Sequence, residues 1–458
     1  MAPPLVTPDL PVPAAYPLTT TQAGQHSSAE LGWRTMFGDP RLQGLIDLAL
    51  QNNRDLRLAT LNVEAVRAQY RIERSARLPA LDIGVGASRG RAADPLAGNG
   101  TAFQKSASAQ LGVTAFELDL WGRVRSASDA ALARYLASDE GRRAARISLI
   151  AAVADAYVAE ILAAEQGALV EQTLRSWSDQ LRLADQLYRA RQSSRIDLAQ
   201  VQSQVARAQA DVEARARDAQ RARNALFQLV GTETSVPALP AALPLHRQPI
   251  VTRLPAGLPA ELLAYRPDIR QAEQNLKAAN ADIGAARAAF LPRISLTAST
   301  GFASNSMNGL FDGDHRAWSF APQITQPLFN AGRLRAELRL SEVRKSSAIA
   351  EYERAIQTGF REVADGLAGS ATYARQIAAQ EQVVAEENRR AELSEQRYRA
   401  GVDGRLELLD AQRQLYAAQQ DLLDLRRDEL SNAIALYKAL GGGQFRDASE
   451  AGQARAAP

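Results

Sequence analysis

An apolar residue, an acid and a base lie late in the sequence at a spacing that brings them together on a helix. Leu406, Asp410 and Arg413 are four and three residues apart, so a helix carries their side chains on one face. If that helix recurs around a threefold axis, each residue forms a ring, and a close ring of carboxylates favours cations over anions. The alternative is a solvated charged face of a coiled coil, and the spacing by itself leaves both open.

Residue types that support catalysis or metal binding are scarce in this sequence. There is no cysteine, and the three histidines are far apart, without the spacing of metal ligands. Gly84, Gly86 and Gly90 do not have dinucleotide-binding spacing, and no phosphate-binding loop is present. The sequence therefore predicts a protein that is not an enzyme and needs no cofactor.

The charges are balanced, with 54 basic against 51 acidic residues and a net charge of +3, which gives no reason to expect a nucleic-acid partner. The most apolar stretch, residues 147–164, is interrupted by Asp155 and Glu160, so no membrane-spanning helix is expected. The chain begins in a Pro- and Thr-rich coil without a signal peptide. This leaves two alternatives, a cytoplasmic protein or a targeting segment that has been removed.

Self-similarity at a nearly fixed offset indicates that the chain is a duplication. Asp55-Leu56-Arg57 returns as Asp268-Ile269-Arg270 after 213 residues, and Tyr188-Arg189-Ala190 returns as Tyr398-Arg399-Ala400 after 210. Each half reads as a helix, a strand hairpin, a very long helix, a tight break and a final helix.

This division predicts five segments and, within the repeats, two strand hairpins and two helical hairpin tips. The segments are an extended N-terminal segment (1–40), a first repeat (41–235), a Pro-rich linker (236–259), a second repeat (260–443) and a tail (444–458). The strand hairpins are predicted at 79–120 and 292–329, and the tips at 190–195 and 400–405.

Two stretches of strong helix formers are far longer than the helices of compact domains. Gly122–Arg189 and Gly332–Arg399 would each extend ~100 Å at ~1.5 Å per residue, whereas helix lengths cluster near ~11 residues. The helices that follow carry a three-four rhythm of Leu, Val and Ala, which is typical of a coiled coil. We therefore expect helical hairpins that form a coiled coil or a tube.

Four runs alternate apolar with small or polar residues, as Leu81, Ile83 and Val85 do in the first. Such runs fit the strands of a transmembrane barrel, and a soluble sheet with one wet face is the alternative. Aromatic residues near the strand ends fit a membrane-interface girdle. These are Phe116, Trp121, Phe311, Trp318 and Phe329.

Four strands cannot close a membrane barrel, because the smallest such barrels have about eight. If the strands span lipid, the chain must oligomerise. A trimer would supply twelve strands, and its helices would continue the barrel as a hollow cylinder.

Several motifs resemble the outer-membrane efflux factors of the TolC superfamily, from about Trp33 to Gly443. They are Leu31-Gly32-Trp33, Phe37-Gly38-Asp39-Pro40, Asn53-Arg54-Asp55-Leu56, Phe116-Glu117-Leu118-Asp119-Leu120-Trp121-Gly122-Arg123 and Tyr265-Arg266-Pro267-Asp268-Ile269. Three further motifs resemble its OprM and OprJ lipoprotein branch more closely. They are Asn280-Ala281-Asp282-Ile283-Gly284-Ala285-Ala286-Arg287, Gly309-Leu310-Phe311-Asp312 and Leu440-Gly441-Gly442-Gly443.

The resemblance implies a mainly α fold with a small β part, assembled as a homotrimer. A twelve-stranded barrel would lie in the Gram-negative outer membrane, a helical coiled-coil tunnel would cross the periplasm, and segments 1–40 and 236–259 would form an equatorial belt. The implied function is the passive exit duct of a tripartite RND multidrug efflux pump. A periplasmic adaptor and an inner-membrane RND pump would be its partners, with drugs and small amphiphiles exported and antibiotic resistance as the result.

One departure concerns the start of the chain, because members of this branch begin with a lipidated cysteine after a signal peptide. Thr7-Pro8-Asp9-Leu10-Pro11-Val12-Pro13 resembles the segment just after that cysteine. We therefore expect a native lipid anchor, with Met1 standing in place of the signal peptide and the cysteine.

By the same resemblance, Leu406 would be an apolar constriction, Asp410 an inward carboxylate ring and Arg413 a latch partner, at a gate opened by an iris-like movement. Tyr188, Arg189, Tyr398 and Arg399 are further latch candidates. The implied adaptor-contact tips are Gln192, Ser193, Ser194, Gly401, Val402 and Asp403. The rival hypotheses are a TolC-type channel for protein secretion and a coiled-coil scaffold without a pore.

Overall fold

The computed structural model describes residues 2–5, 11–13, 15–16, 31–93, 101–231, 239–255, 257 and 259–443. The predicted tail 444–458, much of segment 1–40, including part of 7–13, and part of the linker 236–259 lie outside these residues. The helices are α1 (Trp33–Met36), α2 (Pro40–Asn52), α3 (Arg54–Ser75), α4 (Arg123–Arg189), α5 (Arg195–Val230), α6 (Leu262–Tyr265), α7 (Pro267–Ala288), α8 (Arg333–Arg399) and α9 (Arg405–Ala439). The strands are β1 (Asp82–Ala93), β2 (Thr101–Glu117), β3 (Arg293–Ser304) and β4 (Arg316–Thr325).

The chain divides into two compact units, each built from three separate segments. The first, called the sheet unit, comprises Met1–Asp9, Leu61–Asp139 and Gln271–Arg354. The second, called the hairpin unit, comprises Leu10–Thr60, Glu140–Arg270 and Ala355–Pro458.

The sheet unit holds one antiparallel sheet in the order β1-β2-β3-β4. Ile83 lies opposite Leu111 and Thr300 lies opposite Trp318, so the alternating apolar residues of all four strands share one face. That face is uncovered, with Ile83 78% and Trp318 79% exposed. Strands of ten to seventeen residues are long enough to cross a bilayer.

The other face of the sheet is small and polar. Ser88 and Ser106 lie within hydrogen-bond distance across β1 and β2, with their hydroxyl oxygens 2.8 Å apart. Ser299 and Ser319 make the same contact across β3 and β4, also at 2.8 Å. One face of this sheet therefore carries paired hydroxyls, and the other carries exposed apolar side chains. A soluble sheet differs, because it buries its apolar face.

A β-bulge in β2 keeps the apolar face continuous to the base of the sheet, which is the end where the strands meet the helices. Val113 pairs with Ala298 and Phe116 with Leu296, so two residues of β2 lie opposite one of β3. Ala115 takes the left-handed conformation there, with φ of 51°. Without the extra residue, Phe116 would point to the polar face, because strand side chains alternate.

The two long helices begin one residue after the predicted positions and end where predicted, at Arg189 and Arg399. Gly122 and Gly332 precede them with φ of 73° and 86°, a conformation that favours glycine. By length and composition α4 could cross a membrane, but 56% of its most apolar window is buried. The core helix of a soluble unit has the same properties, so we assign α4 to the core.

The hairpin unit has a core in which aromatic and aliphatic side chains surround α4. Tyr157 is fully buried and donates a hydrogen bond to the Asp39 carboxylate, which is 1% exposed, at 2.7 Å. The ring of Phe37 meets the ring of Tyr437 edge-on, with centroids 5.7 Å apart. Residues before α2 also reach the linker, since the Gly38 amide donates to the Pro249 carbonyl at 2.9 Å.

The motif Leu440-Gly441-Gly442-Gly443 ends α9 and turns the chain sharply. All three glycines have positive φ, of 101°, 62° and 66°. A Cβ on Gly442 would lie 2.8 Å from Ile147, so the close approach requires glycine. Tyr437 donates a hydrogen bond to the Gly442 carbonyl at 2.8 Å, which fixes the turn.

Candidate functional site

The two helical hairpins of the hairpin unit turn at tips that are closed in different ways. In the first, Ser194 and Asp197 form a capping box, in which each side chain accepts a hydrogen bond from the backbone N–H of the other. In the second, Gly404 takes the capping position and no side chain among the described residues caps α9. Arg191 and Gly401 provide the left-handed turns, with φ of 59° and 70°.

The second tip is held by an ion pair across the turn. Arg397, at the end of α8, makes two hydrogen bonds to the Asp403 carboxylate, at 2.5 and 2.7 Å. These bonds from Arg397 hold the pKa of Asp403 below its ordinary value. Asp403 therefore stays ionised, and the pair persists, well below neutral pH.

A buried arginine at the start of α9 also holds the second tip. Arg405 is 7% exposed and its Nε donates to the Tyr398 hydroxyl oxygen at 3.0 Å. The guanidinium also lies 5.0 Å from the centroid of the Tyr398 ring. Tyr398 therefore contacts α9 of its own hairpin, which is a contact that a latch residue could make or release.

Leu406, Asp410 and Arg413 line one cavity of about 1030 Å³ between α5 and α9. Leu406 is 63% exposed at its edge, and Trp177 and Tyr416 meet there with ring centroids 6.0 Å apart. The common face predicted from the spacing is therefore present within one chain. Its role as a gate remains a prediction, because a ring requires other copies.

An ion pair at this face joins Asp410 to a residue outside the predicted set. The Asp410 carboxylate accepts a hydrogen bond from Nη2 of Arg390, on α8, at 2.7 Å. This bond, with the neighbouring carboxylate of Glu387, raises the pKa of Arg390 above its ordinary value. Arg413 makes no ion pair within the part of the chain that the structure describes. Within one chain, Arg390 rather than Arg413 is the partner of Asp410.

The remaining latch candidates make contacts inside their own hairpins. Arg189 pairs with Asp185 at 2.8 Å and Arg399 pairs with Glu395 at 2.5 Å, each one turn away on the same helix. Tyr188 packs against the apolar cluster of α4, α5 and α9. A latch role for these residues in an assembly remains a prediction.

The predicted adaptor-contact residues surround the two turns. Val402 is 63% exposed, and Gln192 and Gly401 are exposed as well. The Ser193 hydroxyl is buried without a hydrogen-bond partner among the described residues. Their contact with a partner protein is untested and remains a prediction.

The aromatic residues predicted for the membrane interface lie at both ends of the sheet. Phe311 lies in the connection between β3 and β4 and Trp318 lies near the start of β4, and Phe311 contacts Phe302 edge-on at 5.5 Å between centroids. Phe116, Trp121 and Phe329 lie at the opposite end, where the strands meet the helices. This placement fits two girdles, although contact with lipid remains a prediction.

Arg390 is the site residue that sequence reasoning missed. It is twenty positions before Asp410, across the turn, so its proximity depends on the register of the hairpin, which no local spacing reveals. Among the described residues, no group of three or more His, Cys, Asp or Glu side chains could hold a metal ion.

A known protein family matches this chain in two ranges, which correspond to the two repeats. The profile of the outer membrane efflux protein family matches residues 45–232 and 258–442. The solvent efflux pump outer membrane protein SrpC of Pseudomonas putida is 45% identical over 442 residues, covering 95% of this chain and 93% of that protein. Outer membrane protein OprJ of Pseudomonas aeruginosa is 43% identical, covering 97% and 92%.

Solved structures agree with the sequence relatives. The open state of the MtrE outer membrane channel of Neisseria gonorrhoeae superposes with a TM-score of 0.87 at 40% identity, covering 97% of this chain and 98% of that one. These matches confirm the predicted resemblance, the mainly helical channel fold, the efflux function and the outer-membrane location. The chain therefore belongs to the outer membrane efflux protein family.

Proposed function

We propose that three copies of this chain form the passive exit duct of a tripartite RND efflux system. The sheets would close into a twelve-stranded barrel in the outer membrane, and the long helices would continue it as a tunnel through the periplasm. The repeats 41–235 and 260–443 would alternate around the tunnel, with segments 1–40 and 236–259 forming a belt. A periplasmic adaptor would open the hairpin tips, and an inner-membrane pump would supply the energy.

The observation that carries this proposal is a sheet with a bare apolar face and two free edges. Ile83, Val85, Trp318 and Phe320 are all more than half exposed on one face. Among the described residues, the outer edges of β1 and β4 pair with no further strand. Open edges and exposed apolar faces favour aggregation in water, so lipid and further copies are the partners that would cover them.

The helices support the same assembly. Every residue of α3 is exposed or half-buried, including Leu58, Leu61 and Ile72, which are spaced along one side of the helix. An amphipathic helix normally buries such a stripe. A second copy of the chain would provide the surface against which it packs.

Relatives suggest the class of substrate. Their names describe efflux pumps for solvents, toluene and antibiotics. We propose that this chain passes similar small amphiphiles, with selection made largely by the pump.

The test is the oligomer mass in detergent together with conductance after reconstitution into a planar bilayer. We expect a trimer that forms small-conductance, cation-preferring pores. A monomer or dimer that forms no pore would contradict the proposal and would leave the duplicated coiled coil as a scaffold.

The gate is tested by replacing its two charged residues together. Asp410→Ala with Arg413→Ala removes the proposed carboxylate ring and its latch partner, so we expect higher single-channel conductance than wild type. The matched control is Gln200→Ala with Ser203→Ala, the equivalent positions of the first hairpin, which line the same cavity. Equal conductance in wild type and the Asp410/Arg413 variant would place the constriction elsewhere.

A further inference from the structure

The carboxylate at the proposed gate already has an ion-pair partner within its own chain. Asp410 Oδ2 lies 2.7 Å from Arg390 Nη2, and Arg390 Nη1 lies 3.3 Å from Glu387, one turn earlier on α8. Both Arg390 and Asp410 line the cavity between α5 and α9, and their side chains are 46% and 42% exposed. The pair is therefore open to solvent and to ions that approach this surface.

The first hairpin shows that this architecture does not need the ion pair. At the repeat offset of 210 residues, Arg390 corresponds to Gln180 and Asp410 to Gln200. The two long helices α4 and α8 have the same length, and each ends in a comparable short turn. Two neutral amides thus stand where the second hairpin has a cation and an anion. Exposed ion pairs contribute little stability, so the hairpin does not depend on this pair to fold.

We propose that Arg390 determines the ion selectivity of the gate by compensating the charge of Asp410. This inference rests on the proposed function, because Asp410 controls ions only if the assembled copies bring it to a constriction. A ring of three bare carboxylates would concentrate cations strongly. The guanidinium of Arg390, which Glu387 shares, offsets one negative charge beside each Asp410. Arg390 thereby limits the cation preference that Asp410 alone would impose.

The experiment measures the reversal potential of single pores under a tenfold gradient of KCl, with trimer mass as the check on assembly. Arg390→Gln exposes the charge of Asp410, so we expect the permeability ratio of K⁺ to Cl⁻ to rise by about twofold or more. Asp410→Asn leaves Arg390 uncompensated and is expected to lower the ratio. The double variant Arg390→Gln with Asp410→Gln copies the first hairpin and is expected to return close to wild type.

Arg389→Gln is the matched control, because it removes the same charge from the adjacent residue. Arg389 is 70% exposed and pairs within its own helix with Glu386, at 3.6 Å. It has no part in the contact to Asp410, so we expect no shift in reversal potential. Arg390→Met keeps the aliphatic stem without the charge and replaces the glutamine variant if that variant does not assemble as a trimer.

The outcomes separate this inference from the proposed function. If Asp410→Asn lowers the ratio while Arg390→Gln behaves like Arg389→Gln, the gate stands and the role of Arg390 is overturned. If the double variant matches Asp410→Asn instead of wild type, Arg390 does not compensate Asp410. If neither residue affects the ratio in a conducting trimer, Asp410 lies outside the constriction, and the gate and this inference fall together.

Discussion

The buried hydrogen bond between Tyr157 and Asp39 joins the middle of α4 to the start of α2. One carboxylate oxygen of Asp39 accepts from the Arg41 backbone amide at 2.8 Å and the other from the Tyr157 hydroxyl at 2.7 Å. Burial, and then the bond to Asp39, raise the pKa of Tyr157 above its ordinary value, so the hydroxyl remains a donor at physiological pH.

Tyr157→Phe removes this donor and leaves part of a buried carboxylate unsatisfied. A hydrogen bond to a charged group contributes about 1.5–3 kcal/mol, so we expect a clearly lower midpoint of thermal unfolding in detergent. Tyr373→Phe is the control, because the hydroxyl of this half-buried tyrosine has no hydrogen-bond partner among the described residues. Equal midpoints for both variants would show that the bond does not stabilise the fold.

Among the elements, the sheet has two faces whose chemistry differs and whose residues alternate along each strand. Leu111 pairs with Ile83 and Thr300 on the apolar face, and the adjacent Gln110 pairs with Gly84 and Gly301 on the polar face. If the apolar face contacts lipid, an arginine there costs up to about 4 kcal/mol, depending on its depth in the bilayer.

Leu111→Arg is therefore expected to reduce the amount of trimer in the outer membrane, whereas Gln110→Arg should assemble nearly as wild type does. The measurement is the fraction of trimer in outer-membrane extracts on a gel run without heating. A sheet whose apolar face stays exposed to water predicts a different result, in which both arginines are tolerated. A greater loss of trimer with Gln110→Arg than with Leu111→Arg would mean that the polar face, and not the apolar face, contacts lipid.

The elements were predictable to different degrees, for physical reasons. The starts of α4 and α8 follow from long runs of helix formers after Gly122 and Gly332, and α8 is also followed by Gly401, a signal that is local in sequence. The bulge between Val113 and Phe116 was not predicted, because it depends on pairing with β3, far away in the chain. The contact of Arg390 with Asp410 was missed for the same reason, since only the folded hairpin brings them together.

At the scale of the whole molecule, duplication provides two similar halves that have diverged at the tips. The first tip has a capping box, and the second has a glycine and a charged network. A threefold assembly of such chains would place two kinds of hairpin alternately around one axis. Movement of the second kind could then open the tunnel while the first kind preserves its wall.

The free edges of the sheet allow the closure of the barrel to be tested directly, because the sequence contains no cysteine and introduced thiols have no competitors. β1 runs away from the base of the sheet and β4 returns to it, so β1 of one copy can pair antiparallel with β4 of the next. Gly84 and Gln323 lie near the base of these strands, both on the polar face.

We expect Gly84→Cys with Gln323→Cys, treated with a short bismaleimide, to give covalent dimers and trimers on a denaturing gel. Each single variant is the control and should stay monomeric, because three equivalent thiols would face one another across the full width of a twelve-stranded barrel. A double variant that remains monomeric, in protein that is trimeric by mass, would mean that the copies associate through their helices and that β1 and β4 do not pair. Covalent species would mean that the exposed edges of neighbouring copies pair into the closed wall that an outer-membrane duct requires, since a barrel without unpaired edges satisfies every backbone group in lipid.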